Sequence, residues 1–387
     1  MAKKNKKFSL LLSGKFDYSI VIITLLLLSV GLIVLLSASA PKSLSEGDSS
    51  YEYFKRQSMF AALGIVCMII LSKMDYRILK AKSLRWLIYF VTVGILVAVG
   101  LTGLEEGGGR RWIKILGFSF QPSEFAKVSL IVVFAGILSD VKEKGKIKSI
   151  FSGFLLPIIL LAPIAFTILI LQNHFSATFI IAAIICIQMF VVGTRLTYFI
   201  GAGGLGAIAL AVYLLVSSSS SEGSDFRFDR IQTWLNPEAD FIGKGWQINQ
   251  SLFAIGSGGM FGLGLGNSKQ KYLYLPEPQN DFIFAVLAEE LGFFGSVLVI
   301  ILFILFIWRG IVIAMKSQDT FGCLIAIGVT TMIGLQALIN LAVVTNTIPV
   351  TGMPLPFFSY GGSAMIANLM AIGLLLSVSR NSKTSSN

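Results

Sequence analysis

The chain is 387 residues long, 55% hydrophobic and only 13% charged, with 30 Phe and a formal net charge of +11. So few charges cannot cover the apolar surface of a soluble protein of this size, and the composition specifies an integral membrane protein built from apolar helices. Cys67, Cys186 and Cys323 each stand inside an apolar run, which argues against a disulfide framework and casts them as small core residues.

Residues 1–17 form a basic tail containing Lys3, Lys4, Lys6, Lys7 and Lys15. No small-residue cleavage site follows the next apolar run, so residues 18–40 are expected to remain as a first membrane helix. Further stretches able to cross about 30 Å of hydrocarbon lie at 57–73, 86–103, 122–139, 151–171, 175–193 and 198–217. A long loop, 218–281, precedes spans at 282–308, 320–345 and 360–379, and 380–387 is a tail. The predicted fold is all-α, with ten transmembrane helices and a large extracellular loop between helices 7 and 8.

Lys and Arg set the orientation. The second connection carries Lys73, Arg77, Lys80, Lys82 and Arg85, and the fourth carries Lys142, Lys144, Lys146 and Lys148. These alternate with connections poorer in cations, which puts both termini in the cytoplasm and makes the basic excess a topology signal. A nucleic-acid partner is not expected.

The loop opens with the polar stretch SSSSEGSD, but after Pro237 it becomes apolar and glycine-rich, with a GLGLG run. Such a segment is too interrupted to span and fits a re-entrant element buried in protein. The run lacks the Lys-Ser/Thr of a phosphate-binding loop, so its glycines are expected to serve backbone packing.

Candidate chemistry gathers at the outer mouth. Asp281 starts the eighth span, just after the Pro-flanked Glu277. A carboxylate there is suited to act as a general base, and Asn280 or Asp281 is equally suited to cap the helix; the two roles are compatible. Glu289 and Glu290, two turns further on, suit a structural ion pair. Arg110 and Arg111 follow three glycines, so two guanidinium forks are available either for a diphosphate or for lipid headgroups. Pro122 suits the first turn of the fourth span, where Glu124 and Lys127 stand at i and i+3 as a potential neutralised pair. His174, the single histidine, is expected to be a hydrogen-bonded helix-end residue.

The stretches GGRRWI, FSFQPSEFAK, QSLFAIGSGGMFGLGLG, LPEPQNDFIFAVLAEELG and PVTGMPLPFFSYGGSAMIANLMAIGLL resemble the SEDS family of shape, elongation, division and sporulation proteins over nearly the whole chain. The YLPEPQ and FFSYGGSA wording leans toward its FtsW and SpoVE branch over RodA. The resemblance implies a peptidoglycan glycosyltransferase of the bacterial plasma membrane, working on the outer face. Its substrate would be lipid II, joined into β-1,4 strands with inversion, and its partners a class B penicillin-binding protein and other divisome or elongasome membrane proteins. A lipid II flippase is the competing reading. The family's catalytic Asp falls on Asp281, and Glu124, Lys127, Arg110, Arg111, Glu277, Ser359, Gly361 and Gly362 are expected to bind substrate, with Mg²⁺ or another divalent cation as the candidate cofactor. One departure stands out: Gln172-Asn173-His174 replaces the usual Gln-Pro-Asp, which puts any role of that acid in question. Partner docking is expected on the outward face of the ninth span, around Leu335, Leu338 and Leu341, and on the long loop.

Overall fold

The computed structural model describes residues 16–106, 109–115, 118–204, 233–237, 239, 243, 245–272 and 274–381. Helices α1 (Tyr18–Ser45), α2 (Glu52–Lys73) and α3 (Lys82–Thr102) lead into an antiparallel sheet of β1 (Leu104–Glu106), β2 (Gly109–Ile115) and β3 (Phe118–Phe120). There follow α4 (Pro122–Glu143), α5 (Ile150–Leu171), α6 (Phe175–Val192), α7 (Trp246–Ser257), α8 (Ile283–Lys316), α9 (Thr320–Val344) and α10 (Gly362–Arg380). Residues 196–204 are also helical, while 205–217 of the seventh expected span and most of the following loop lie outside the described residues.

Eight of the helices among the described residues are long and apolar enough to cross a membrane, and the chain is a multi-pass helical membrane protein. The apolar faces of α1, α3 and α8 are turned outward: Ile22, Ile33, Phe90, Leu298 and Trp308 are all exposed, an arrangement stable only against hydrocarbon. The interior is built by α4, α9 and α10. The spanning windows of α9 and α10 are 72% and 78% buried against 22% for α2, so α2 belongs to the lipid-facing rim. Close helix approach uses small residues, as where Gly64 of α2 faces Leu369 and Gly373 of α10 faces Met68.

The cysteines correct the sequence reading. All three are free, but Cys186 is exposed and Cys67 and Cys323 are only partly buried. Hydropathy alone does not separate a lipid-facing cysteine from a core one, because both solvents are apolar.

Polar contacts collect at two ends of the bundle. One end holds the ion pairs Arg77–Asp319, Arg85–Asp140, Lys80–Glu143 and Arg309–Asp17. α8 runs on to Lys316, past the expected end at 308, and carries Arg309 into its pair with Asp17. The other end gathers Lys42, the β-sheet, the α5–α6 turn, the 274–281 segment and the α9–α10 connection.

Near that second end α8 is broken. Gly292 has φ 67° and ψ −166°, a conformation essentially restricted to glycine. The backbone groups freed by the break are taken by the glycine-rich loop. Leu263 and Gly264 N–H donate to the carbonyls of Glu289 and Glu290 at 3.0 Å each, and Phe293 and Phe294 N–H donate to the carbonyls of Gly259 and Met260 at 2.9 and 3.2 Å. Irregular backbone about 13 Å below the start of α8 is thereby satisfied by protein. Glu289 accepts from Ser268 and from the N–H of Lys269 and Gln270, and Glu290 pairs with the buried Lys271 at 2.8 Å. Both acids are structural, as expected.

A Cβ on Gly292 would stand 2.2 Å from the nitrogen of Gly262. Gly292→Ala should therefore destabilise the detergent-solubilised protein by at least about 3 kcal/mol. A parent-like thermal midpoint in that variant would show that the break is dispensable.

Candidate active site

Asp281 is positioned through its backbone. Its carbonyl accepts from Nδ2 of Asn340 at 2.7 Å, and the same amide nitrogen donates to the carbonyl of Met353 at 2.7 Å. One residue earlier, the carbonyl of Asn280 accepts from Ser359 Oγ at 2.6 Å, and Ser359 Oγ in turn accepts from Leu355 N–H at 2.8 Å. Tyr360 N–H donates to the carbonyl of Gln279 at 2.8 Å. The segment is thus clamped to α9 and to the α9–α10 connection.

The clamp leaves the carboxylate itself without a hydrogen bond or ion pair among the described residues. It faces Gly352, where a Cβ would stand 3.5 Å from Oδ2. Burial, then the nearby charge of Glu277, pushes the Asp281 carboxyl up to about 6, from an ordinary 3.8. The capping role is corrected: the N-cap of α8 is Phe282, and neither Asn280 nor Asp281 caps with its side chain. Asn280 Nδ2 instead donates to Glu277 Oε2 at 2.7 Å, drawn there by the turn at Glu277.

The two arginines do not act as one clamp. They are neighbours in β2 at the point where its register against β1 shifts, and they take different partners. Arg110 is exposed, with Nε 3.9 Å from Glu105. Arg111 turns inward and donates to the carbonyls of Gln172 and Asn173 at 3.3 and 2.9 Å. Lys127 and Glu124 form the expected pair at 2.8 Å, both buried.

His174 sits at the expected helix end, as the N-cap of α6, but its Nδ1 has no hydrogen-bond partner among the described residues. Burial, with the charges of Arg111 and Lys127, pushes its pKa down to about 3, so the imidazole is neutral. Ser176, two residues on, donates to the carbonyl of Thr351, next to Gly352. The α6 turn and Asp281 therefore border the same end of the bundle.

Other expected site residues are tied into the scaffold. Glu277 is half-exposed and pairs with Lys42 at 2.8 Å. Ser359 is engaged in the clamp, Gly361 N–H donates to Gln57, and Gly362 packs on the ring of Phe60. Asn340, Gln57 and Lys42 were missed by sequence reasoning. For Asn340 a signal existed, since a lone amide in the apolar stretch ALINLAVV is costly unless it has a task.

Among the described residues no three His, Cys, Asp or Glu side chains are grouped to hold a metal ion. Near Asp281 the second carboxylate, Glu277, is already paired with Lys42. A Mg²⁺ there would need most of its ligands from water or phosphate.

Replacing Asn340 by Leu removes both clamp donors and leaves two carbonyls unpaired. Asn340→Leu should cost about 1–3 kcal/mol in thermal unfolding, and an unchanged midpoint would show that the clamp contributes nothing.

The family profile described as "Cell cycle protein", FtsW/RodA/SpoVE, matches residues 18–384. Stage V sporulation protein E of Bacillus subtilis is 42% identical over 367 residues, covering 95% of this chain and 98% of that protein. A probable peptidoglycan glycosyltransferase FtsW of Trichlorobacter lovleyi is 38% identical, covering 96% and 94%. Among solved structures, a chain from a peptidoglycan synthase complex coordinating polymerization and crosslinking has a TM-score of 0.76 at 27% identity, covering 94% of this chain and 98% of its own. RodA of Thermus thermophilus has a TM-score of 0.68 at 26% identity, covering 96% and 98%. The chain belongs to the FtsW, RodA and SpoVE family of cell cycle proteins.

Proposed function

We propose that the protein is a peptidoglycan glycosyltransferase that polymerises lipid II on the outer face of the bacterial plasma membrane, with both termini cytoplasmic. The observation that carries this is Asp281: a carboxylate clamped by its main chain, free of partners among the described residues, and with its pKa raised to about 6. A general base needs that combination, because a paired carboxylate is too weak a base and a loose one is misplaced. The names of the relatives support the same reaction class.

Asp281 takes the proton of the acceptor sugar's 4-hydroxyl as that oxygen attacks the donor's anomeric carbon from the side opposite the diphosphate. The new C1–O4 bond forms while the C1–O bond to phosphate breaks, and the diphosphate leaves with the electron pair. Inversion of the α-linked donor gives a β-1,4 product with one base. Arg111 and Lys127 supply positive charge near the leaving group, and the exposed Arg110 meets headgroups or diphosphate as the substrate arrives.

The flippase reading is less well supported. Its coupling residues belong near the bilayer midplane, whereas Asp281, the carboxylate without a partner among the described residues, precedes the first turn of α8. A class B penicillin-binding protein remains the proposed partner, in line with the polymerising and crosslinking complex among the structural relatives. Leu338, 63% exposed on α9 between the partly buried Leu335 and Leu341, fits that docking face. The branch likeness points to division or sporulation.

Asp281→Asn should abolish polymerisation of purified lipid II, a loss of at least about 10³-fold, while keeping the fold. Its stability should rise. A raised carboxyl pKa means that stability is lost as pH climbs from about 4 through about 6, so the neutral Asn removes a cost at neutral pH that the thermal midpoint can report. Parent-rate polymerisation by Asp281→Asn would contradict the assignment.

The parent's rate should rise through about pH 6 and level off above it, since only the ionised carboxylate accepts a proton. Glu277→Gln removes the neighbouring charge and should move that acid limb to lower pH. A limb unmoved in Glu277→Gln would show that Glu277 does not act on Asp281.

A further inference from the structure

Among the buried polar atoms that have no hydrogen-bond partner among the described residues, two groups lie beside Asp281 and beside the start of α6. Around Asp281 they are amide oxygens: Oε1 of Gln279, Oδ1 of Asn280 and Oδ1 of Asn340. Amide oxygens only accept, so they suit the hydroxyl and N–H donors of a sugar. Around the start of α6 they are groups that can donate: Oγ of Ser123, Nδ1 of His174 and Oγ1 of Thr351.

The second set is tied to one region, the first turns of α4 and α6. Ser123 lies one turn before Lys127 on α4, so the two share a face. The ring of His174 is close enough to Lys127 and Arg111 to feel both charges. Thr351 is held at the first turn of α6 by Ser176. That turn adds the positive end of an 18-residue helix whose N-cap residue, His174, makes no side-chain cap bond. Arg111 fixes the turn through the carbonyls of Gln172 and Asn173, and Lys127 is steadied by Glu124. Buried donors without acceptors are costly, and an anion rich in acceptor oxygens would relieve them together.

We propose that the start of α6 is the diphosphate subsite of the protein, with His174 Nδ1, Ser123 Oγ and Thr351 Oγ1 donating to non-bridging phosphate oxygens beside the Lys127 ammonium. The inference rests on the glycosyl-transfer reading and deepens it by assigning the leaving group its place. Sugar and diphosphate then meet different groups: amide oxygens beside Asp281, and hydroxyl and imidazole groups beside His174, where the Glu124 carboxylate is held by Lys127. A neutral imidazole serves well here, since it donates without adding a third buried charge beside Arg111 and Lys127.

His174 is the chain's single histidine, so protein labelled with ¹⁵N-histidine reports on this site alone. In nanodiscs of neutral lipid, farnesyl diphosphate should shift the Nδ1 resonance saturably, and farnesyl monophosphate should require at least about tenfold more ligand. Phosphatidylglycerol added to the nanodiscs should leave the resonance in place. Absence of a saturable shift would overturn the subsite, and an equal shift with phosphatidylglycerol would overturn its assignment to a diphosphate. His174→Leu should lower kcat/KM for lipid II about tenfold, and His174→Gln, which keeps an N–H donor, should recover most of that loss. Equal activity of His174→Leu and the parent would also overturn the proposal.

The binding measurement needs no turnover, which keeps the two readings separable. Lost polymerisation in Asp281→Asn without any imidazole shift would sink the subsite alone. A normal shift with full polymerisation by Asp281→Asn would sink the catalytic assignment alone.

Discussion

The end of the bundle that carries Asp281 depends on one amide. Nδ2 of Asn340 joins the carbonyls of Asp281 and Met353, and so ties the start of α8 to the α9–α10 connection. Ser359 repeats the device one residue earlier, at the carbonyl of Asn280. Because every one of these bonds is made to the main chain, the segment is fixed without using the carboxylate. A side-chain cap or salt bridge would have held Asp281 as firmly, but would have lowered its basicity. Positioning and reactivity are separated by assigning them to different atoms of the same residue.

The break at Gly292 extends this logic. Above it, the short run from Ile283 to Leu291 is bound to the glycine-rich loop through exchanged backbone bonds and through the buried Lys271–Glu290 pair. Ser37 of α1 joins the same pair. The charges are costly to bury, yet each is matched by several partners, so the loop has one register against α8. The first turns of α8 are thereby held by α1, α9 and the loop at once. The strain of one glycine conformation is confined to the point where the loop inserts.

Much of this was legible in the sequence. Hydropathy placed α5, α6 and α9 almost to the residue, because twenty apolar residues in a membrane have one stable backbone solution. Glu124 and Lys127 announced their pairing by spacing, and Glu289 and Glu290 read as structural because no metal-ligand spacing accompanies them. The sites of failure share a cause: each depended on tertiary placement. Arg110 and Arg111 read as a pair in a flexible mouth, but the connection folds into a small sheet where Arg111 is taken by the α5–α6 turn and Arg110 stays exposed beside Glu105. Asn280 or Asp281 read as a helix cap as readily as Asp281 read as a base, but the N-cap is Phe282 and neither side chain caps. Cys186 read as core because lipid and protein interior look alike to a hydropathy pattern. His174 read as a hydrogen-bonded helix end, and the helix does start there, but its Nδ1 has no partner among the described residues.

The central claim is that the clamp leaves Asp281 as an unpaired carboxylate poised near neutrality. Infrared titration of the purified protein against Asp281→Asn in nanodiscs measures this directly, since a protonated carboxyl has its own carbonyl stretch. The account predicts a band that vanishes with a midpoint near pH 6 and is missing in Asp281→Asn. A carboxylate that stayed ionised down to about pH 4 would mean that Asp281 is paired or fully solvated, and would contradict it.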